Sequence, residues 1–287
     1  MATLLALLYV IVFCIPAVSA EPGPVGGEQG ELRRQEWLIP SPVKGILMQA
    51  VLFRPAGDGP FPLAIVNHGS SEDARERRRQ RLAEFPYLSA WLVSRGYAVL
   101  LPQRPGHGAT GGSYTEGQGW CGGPDYVGAG LGAAQSIASA YQYMHEQDFI
   151  AERGTIIIGN SAGGWGALAF AGGAPSGVAG VVNFAGGRGG RDQNRAGNNC
   201  AQDRLVEAAG VFGAAARVPT LWLYAENDTY FGPDLSQRLA DGFVAAGGKA
   251  EYHLLPAVRG DGHALMSTAG DEASWAPYLG RFLSRLR

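Results

Sequence analysis

Short apolar runs separated by helix-like stretches recur along this chain, and that alternation constrains the fold more than any other feature. The runs are LMQAVLFRP (47–55), FPLAIVNHG (61–69), YAVLLPQRP (97–105), TIIIGN (155–160), VAGVVNFAGG (178–187), PTLWLYAEND (219–228) and AEYHLLPA (250–257). Helical stretches are expected at Phe85–Ser94, Tyr126–Glu146, Ala162–Ala171, Leu235–Ala246 and Ala273–Leu286. Strands joined by crossover helices build a largely parallel sheet covered on both faces. The unbroken apolar character of TIII, AGVV and LWLY fits strands buried on both sides. The fold class expected is therefore α/β.

The 287 residues suit one large domain, and a net charge of −2 gives no basic surface for a nucleic acid partner. The basic cluster Arg75 to Arg81 reads as a solvated loop or helix start. Residues 1–20 are apolar and end on Val18-Ser19-Ala20, small residues that a signal peptidase accepts, so they read as a cleaved signal with no stable membrane insertion afterwards. An uncleaved anchor is the alternative. Residues 21–34, rich in Gly and Pro, read as a flexible lead-in, with the folded domain spanning 35–287. Export to a periplasmic or secreted location would permit a disulfide, and Cys121 and Cys200 are the two cysteines left once Cys14 is removed. Their pairing is expected; two free thiols is the alternative.

Chemistry enters at Gly159-Asn160-Ser161-Ala162-Gly163, a G-x-S-x-G between a buried strand and a helix. A nucleophile on such a turn needs small neighbours, and the helix N-terminus places N–H groups beside the charge that develops on attack. The later strand end carries Asp228, with Glu226 as its local competitor, and the flexible Gly260-Asp261-Gly262-His263 follows the last strand. Ser161, Asp228 and His263 thus stand in the order nucleophile, acid, base. Ala162 N–H is expected as the first oxyanion donor and Ser70 N–H as the second, with Gly69 close behind. His68 and His107 read as structural, His145 and His253 as surface or packing residues. Two Gly-rich segments, Gly111 to Asp125 and Gly187 to Cys200, follow strands and are candidate pocket walls. Trp120, Tyr126, Trp165, Tyr230 and Phe231 lie near the motifs, and Trp120, Trp165 and Tyr230 are the expected substrate contacts. No phosphate loop, HExxH or Cys/His cluster of metal spacing occurs, so no cofactor and no metal site is expected.

Taken together, NHGS, RPGHG, GNSAGG, YAEND and GDGH resemble the α/β-hydrolase superfamily, in particular its dienelactone-hydrolase-like and prolyl-oligopeptidase-like branches. The resemblance covers the chain from about Gln35 onward and implies a central sheet of about eight strands and metal-free acyl transfer through an acyl-enzyme. Dienelactone hydrolases proper use a cysteine nucleophile; with Ser161 in that place, ordinary carboxylic esters become the expected small-molecule substrates. A serine peptidase is the alternative activity, and an inactive scaffold that binds without turnover is the reading from another class. Oligomeric state is left open.

Overall fold

The computed structural model describes residues 21–286, so the expected signal segment lies outside the described residues. Nine strands form one sheet: β1 (Gly23–Gln29), β2 (Arg34–Pro40), β3 (Leu47–Phe53), β4 (Leu63–Asn67), β5 (Ala98–Pro102), β6 (Thr155–Asn160), β7 (Val178–Phe184), β8 (Thr220–Ala225) and β9 (Ala250–Leu255). Their order is β1-β2-β3-β5-β4-β6-β7-β8-β9. From β5 across to β9 every pairing is parallel, while β1, β2 and β3 are antiparallel to their neighbours. Central strands β4 and β5 are buried at every residue, as are the first five residues of β6. Continuous burial is what a sheet covered on both faces demands of its strands.

The described residues form seven α-helices, α1 (Ala74–Arg79), α2 (Pro86–Val93), α3 (Tyr126–Met144), α4 (Ala162–Phe170), α5 (Gln202–Ala215), α6 (Pro233–Ala245) and α7 (Glu272–Arg285), of which α2 to α7 cover the sheet. One core joins the sheet to α3, α4, α5 and α6 through residues such as Ile137, Leu168, Phe212 and Phe243. A second core on the other face joins it to α2 and α7 through Leu88, Leu92, Trp275 and Leu279. Helix α4 is buried along its whole length, which explains a sequence, AGGWGALAF, with no polar side. Among the described residues no helix is long and apolar enough to cross a membrane.

The ninth strand comes from the segment expected to be a flexible lead-in. Residues 23–29 instead pair antiparallel with β2, Gly23 opposite Leu38 and Gln29 opposite Arg34. Six of the seven β1 residues are exposed, so the pairing rests on main-chain hydrogen bonds, and Gly- and Pro-rich composition does not exclude it at a sheet edge. Arg33 closes this hairpin by donating from Nε to Glu28 at 2.6 Å.

Cys121 and Cys200 form a disulfide, joining the two Gly-rich segments flagged as pocket walls. A second link ties the 111–125 segment to the chain after β5. Arg104, after β5, meets Glu116 in a bidentate pair, Nε to Oε1 at 2.5 Å and Nη2 to Oε2 at 3.0 Å, with both side chains out of contact with solvent. Burial alone would push the Glu116 carboxyl up, but the charge and hydrogen bonds of Arg104 hold it below its ordinary value.

Candidate active site

Ser161 follows the last residue of β6 and caps α4 with φ 54° and ψ −123°, a conformation that L-residues reach only under strain. The turn is held by its main chain: Ser161 N–H donates to Phe184 O at 3.0 Å, and Ser161 O accepts from Trp165 N at 3.0 Å and Gly187 N at 3.3 Å. The flanking glycines are steric requirements. A Cβ at Gly159 would stand 2.2 Å from Gly163 O, and one at Gly163 would stand 2.4 Å from Asn67 O. Each is closer than any real contact, so G-x-S-x-G here is a packing rule with the hydroxyl as its product. No side chain caps α4, and its first residue, Ala162, lines the same cavity as Ser161.

His263 sits in a short 3₁₀ turn past β9, and its ring Nδ1 lies 3.3 Å from both carboxylate oxygens of Asp228. The Asp228 side chain is fully buried, and its Oδ1 also accepts from Tyr230 N at 2.7 Å and Phe231 N at 3.0 Å. Four acceptor contacts on one carboxylate leave it little freedom to turn. Glu226, the competitor for this role, is exposed. Tyr230 stacks on the imidazole with ring centroids 4.0 Å apart. The His263 ring and Ser161 line one cavity, without a direct hydrogen bond between them in this ligand-free geometry; such bonds often tighten only around substrate.

Three residues that sequence reading passed over fix this histidine. Asp261 Oδ1 accepts from His263 N at 3.0 Å and Thr229 N at 3.1 Å, while Oδ2 accepts from Thr229 Oγ1 at 2.5 Å. Asn227 donates to Val258 O at 2.9 Å and Gly260 O at 2.8 Å, and Asn160 donates to His263 O at 3.2 Å. Asp261 left a signal, since an acidic residue two before a turn residue can cap that turn. The partners of Asn227 lie 31 and 33 residues away and that of Asn160 lies 103 away, and nothing local marks either asparagine.

The cavity has a volume of about 660 Å³, and polar side chains outnumber apolar ones among its lining residues, Ser70, Glu72, Asp73, Gln118, Arg188 and Asn194 included, while polar and apolar atoms share its surface about evenly. Tyr230 and Phe231 are its aromatic walls. Two expected contacts are absent from it. Trp165 is fully buried, packs on Phe212 with centroids 4.9 Å apart and donates its indole N–H to Tyr126 O at 2.8 Å. One helical turn past Ser161, its side chain points into the core, a direction that proximity in sequence does not reveal. Trp120 is 75% exposed, lies against Gly122 and Gly123, and does not line the cavity. Tyr126 is buried too, its hydroxyl donating to Cys200 O.

The segment expected to supply the second oxyanion donor packs against two buried histidines. His68 Nε2 accepts from Arg104 N at 3.1 Å, so its proton belongs on Nδ1, which donates to Gly69 O at 2.6 Å. His107 Nδ1 lies 3.1 Å from Arg104 O and 3.2 Å from Pro105 O, which again puts the proton on Nδ1 and leaves Nε2 as an acceptor. Burial drives the His68 pKa well down, with the nearby Arg104 charge adding to it. Burial likewise lowers His107, to about 4, against an opposing pull from Glu116. His145 and His253 pack elsewhere, on Thr155 and on Glu251 and Tyr278. In the basic cluster Arg77 is the exception to solvation: buried, it donates to Ser71 O at 2.8 Å and stacks on Tyr114.

The two depressed histidines predict acid lability. Between pH 6.5 and about 4 the unfolded chain takes up a proton at position 107 that the folded chain refuses, so stability falls as pH falls through that window. The loss is expected to reach roughly 3 kcal/mol for His107, with His68 adding in the same direction. Urea unfolding at pH 7 and pH 4.5 measures it, and His107→Asn should flatten the curve; an unchanged slope in that variant would contradict the assignment.

Among the described residues one group has metal-ligand spacing, Cys121, Asp192 and Cys200, and both sulfurs are already committed to each other. No family model matches the chain, and no curated protein matches it by sequence. Solved structures do match in three dimensions. An acetyl xylan esterase from Paenibacillus sp. R4 superposes with a TM-score of 0.63 at 14% identity, covering 92% of this chain and 88% of that one. A protein named as a dienelactone hydrolase from Klebsiella pneumoniae gives 0.56 at 17% identity over 88% and 97% of the two chains. The acylaminoacyl peptidase of Pyrococcus horikoshii gives 0.61 at 11% identity over 91% of this chain and 42% of its own. This is the α/β-hydrolase fold. At such identities the likeness establishes architecture, and the chemistry of this α/β-hydrolase fold has to be argued from its own side chains.

Proposed function

We propose that this chain is an exported serine hydrolase that cleaves carboxylic esters through Ser161, His263 and Asp228. One observation carries the reading: a strained serine at the N-terminus of a buried helix shares a cavity with a histidine whose Nδ1 is held by a buried carboxylate. With Nδ1–H directed at Asp228, Nε2 is the free base. His263 takes the Ser161 proton as the hydroxyl attacks the ester carbonyl, and the oxyanion is met by the N–H groups of Ala162 and Ser70. The protonated ring is stabilised by Asp228 and returns its proton to the leaving alcohol. Water, activated by the same Nε2, then attacks the acyl-enzyme and releases the acid. The cycle needs His263 neutral at the start of each half.

Export is supported by the apolar residues 1–20, ending on Val18-Ser19-Ala20, and by the Cys121–Cys200 disulfide. The catalytic domain of this reading begins at β1, not at residue 35. The esterase and hydrolase structures named above support the ester class by likeness of fold. The charged and polar side chains among the cavity's lining residues, Glu72, Asp73, Arg188, Arg191 and Asp192, favour short acyl groups on hydrophilic esters over long alkyl chains. The expected result is that p-nitrophenyl acetate and butyrate turn over faster than the laurate ester, and that all three outpace aminoacyl p-nitroanilides. A preference for the anilides would replace the esterase reading with a peptidase. Absence of turnover together with absence of fluorophosphonate labelling would leave a binding scaffold.

A further inference from the structure

Gly69 and Ser70 form the segment of main chain packed against the nucleophile: a Cβ on Gly69 would lie 3.1 Å from Ser161 Cβ and 3.6 Å from its Oγ. What fixes this segment is a chain of side-chain hydrogen bonds that starts in the cavity and leaves it. Arg188 Nη2 donates to the Tyr114 hydroxyl at 2.8 Å. Tyr114 and Ser70 oxygens are 3.1 Å apart, and Ser70 Oγ is 2.8 Å from His107 Nε2. The direction of every bond is determined. His107 has its proton on Nδ1, facing Arg104 O and Pro105 O, so its Nε2 can only accept, and the Ser70 hydroxyl must donate to it. Ser70 Oγ therefore accepts from Tyr114, whose oxygen accepts from Arg188. A guanidinium at one end and two carbonyls at the other polarise the chain in a single sense.

We propose that this relay positions the oxyanion loop, with Tyr114 as a positioning residue that acts on the reaction through Ser70 without touching substrate. The inference rests on the reading of Ser161 as nucleophile and Ser70 N–H as oxyanion donor. Ser70 and Arg188 line the cavity, whereas Tyr114 does not. The Tyr114 ring is held independently of its oxygen, by the Arg77 guanidinium 3.7 Å from its centroid and by the His107 ring at 5.5 Å. Arg188 likewise keeps other partners, Glu116 O at 2.9 Å and Glu72 Oε1 at 2.8 Å. Removing one oxygen thus cuts the relay while its flanking contacts stay.

Tyr114→Phe in the full chain is the test, with turnover of p-nitrophenyl acetate expressed per site titrated by a fluorophosphonate. An oxyanion donor acts on the transition state and little on bound substrate, and losing one outright costs about a hundredfold or more. Misplacing it is expected to lower kcat about tenfold with KM within about twofold of wild type. Inhibition by an aryl boronic acid, which makes a tetrahedral adduct on serine, should weaken by the same factor. Ser70→Ala should reproduce the kcat loss and Ser70→Thr, which keeps a hydroxyl, should recover most of it. A Tyr114→Phe protein with unchanged kcat per titrated site, whatever its Tm, overturns the proposal, as does a change confined to KM. If Tyr114→Phe does not fold, the Ser70→Ala and Ser70→Thr pair decides by the same criteria. Wild-type protein that neither turns over esters nor takes the label would instead remove the hydrolase reading, and the relay with it.

Discussion

Ser161→Ala is expected to lower kcat/KM for p-nitrophenyl acetate by about five orders of magnitude, to the level that oxyanion binding alone sustains. His263→Ala should cost about as much, because neither the hydroxyl nor the base is competent without the other. Asp228→Asn is expected to lose about four orders: the ring stays in place, but the amide can donate where only an acceptor is wanted, and the tautomer with a bare Nε2 is no longer favoured. Steady-state rates on the three variants, normalised to folded protein, check the set. A Ser161→Ala protein retaining more than about a hundredth of wild-type activity would remove the nucleophile assignment.

Stability should move the other way at the same position. Ser161 is held at φ 54°, and alanine keeps the Cβ that makes this costly, so Ser161→Ala is expected to unfold with nearly the wild-type midpoint. Ser161→Gly removes the Cβ and should gain about 1 kcal/mol while remaining inactive. A stabilising change that abolishes turnover is what strain kept for function predicts.

The three residues of the proposed triad could be picked out as candidates because each is marked by its own neighbours. Ser161 has glycines that the β6–α4 turn demands sterically, Asp228 lies three residues past the buried strand β8, and His263 follows β9 inside a turn that carries Gly260 and Gly262. Parallel topology then brings strand ends together whatever their separation in sequence. The helices α6 and α7 fall within a few residues of expectation for a related reason, since their apolar periodicity is set by a core on one face of the sheet. Where burial is not the cause, the sequence is silent. Strand β1 is exposed and pairs by its backbone, so composition made it a linker. Trp165 and Trp120 were misplaced because nearness along the chain says nothing about which way a side chain points. Neither the relay through Tyr114 nor the cluster around Asp261 could be read, because their members arrive from separate loops and meet only when the sheet has formed.

The Arg104–Glu116 pair should carry the largest stability effect of any single polar contact. Both side chains are out of solvent and bidentate, so Arg104→Met leaves a carboxylate with its charge and without its main partner. The expected loss is about 3–5 kcal/mol at pH 7 by urea unfolding. Its pH dependence has a sign of its own. With Arg104 gone, burial becomes the dominant influence on Glu116 and raises its pKa above the unfolded value, so the folded variant binds a proton that the unfolded chain has released. The penalty should therefore be largest at neutral pH and shrink as pH falls, opposite to the histidine effect in the wild type. Arg104→Met with Glu116→Leu should recover much of the loss, because an apolar pair of similar volume needs no hydration. If the double variant folds as stably as wild type yet turns over esters more slowly, the pair is retained for the loop it holds: Glu116 O and Tyr114 both receive Arg188, and a slackened 111–125 wall would loosen the cavity with no change in net stability.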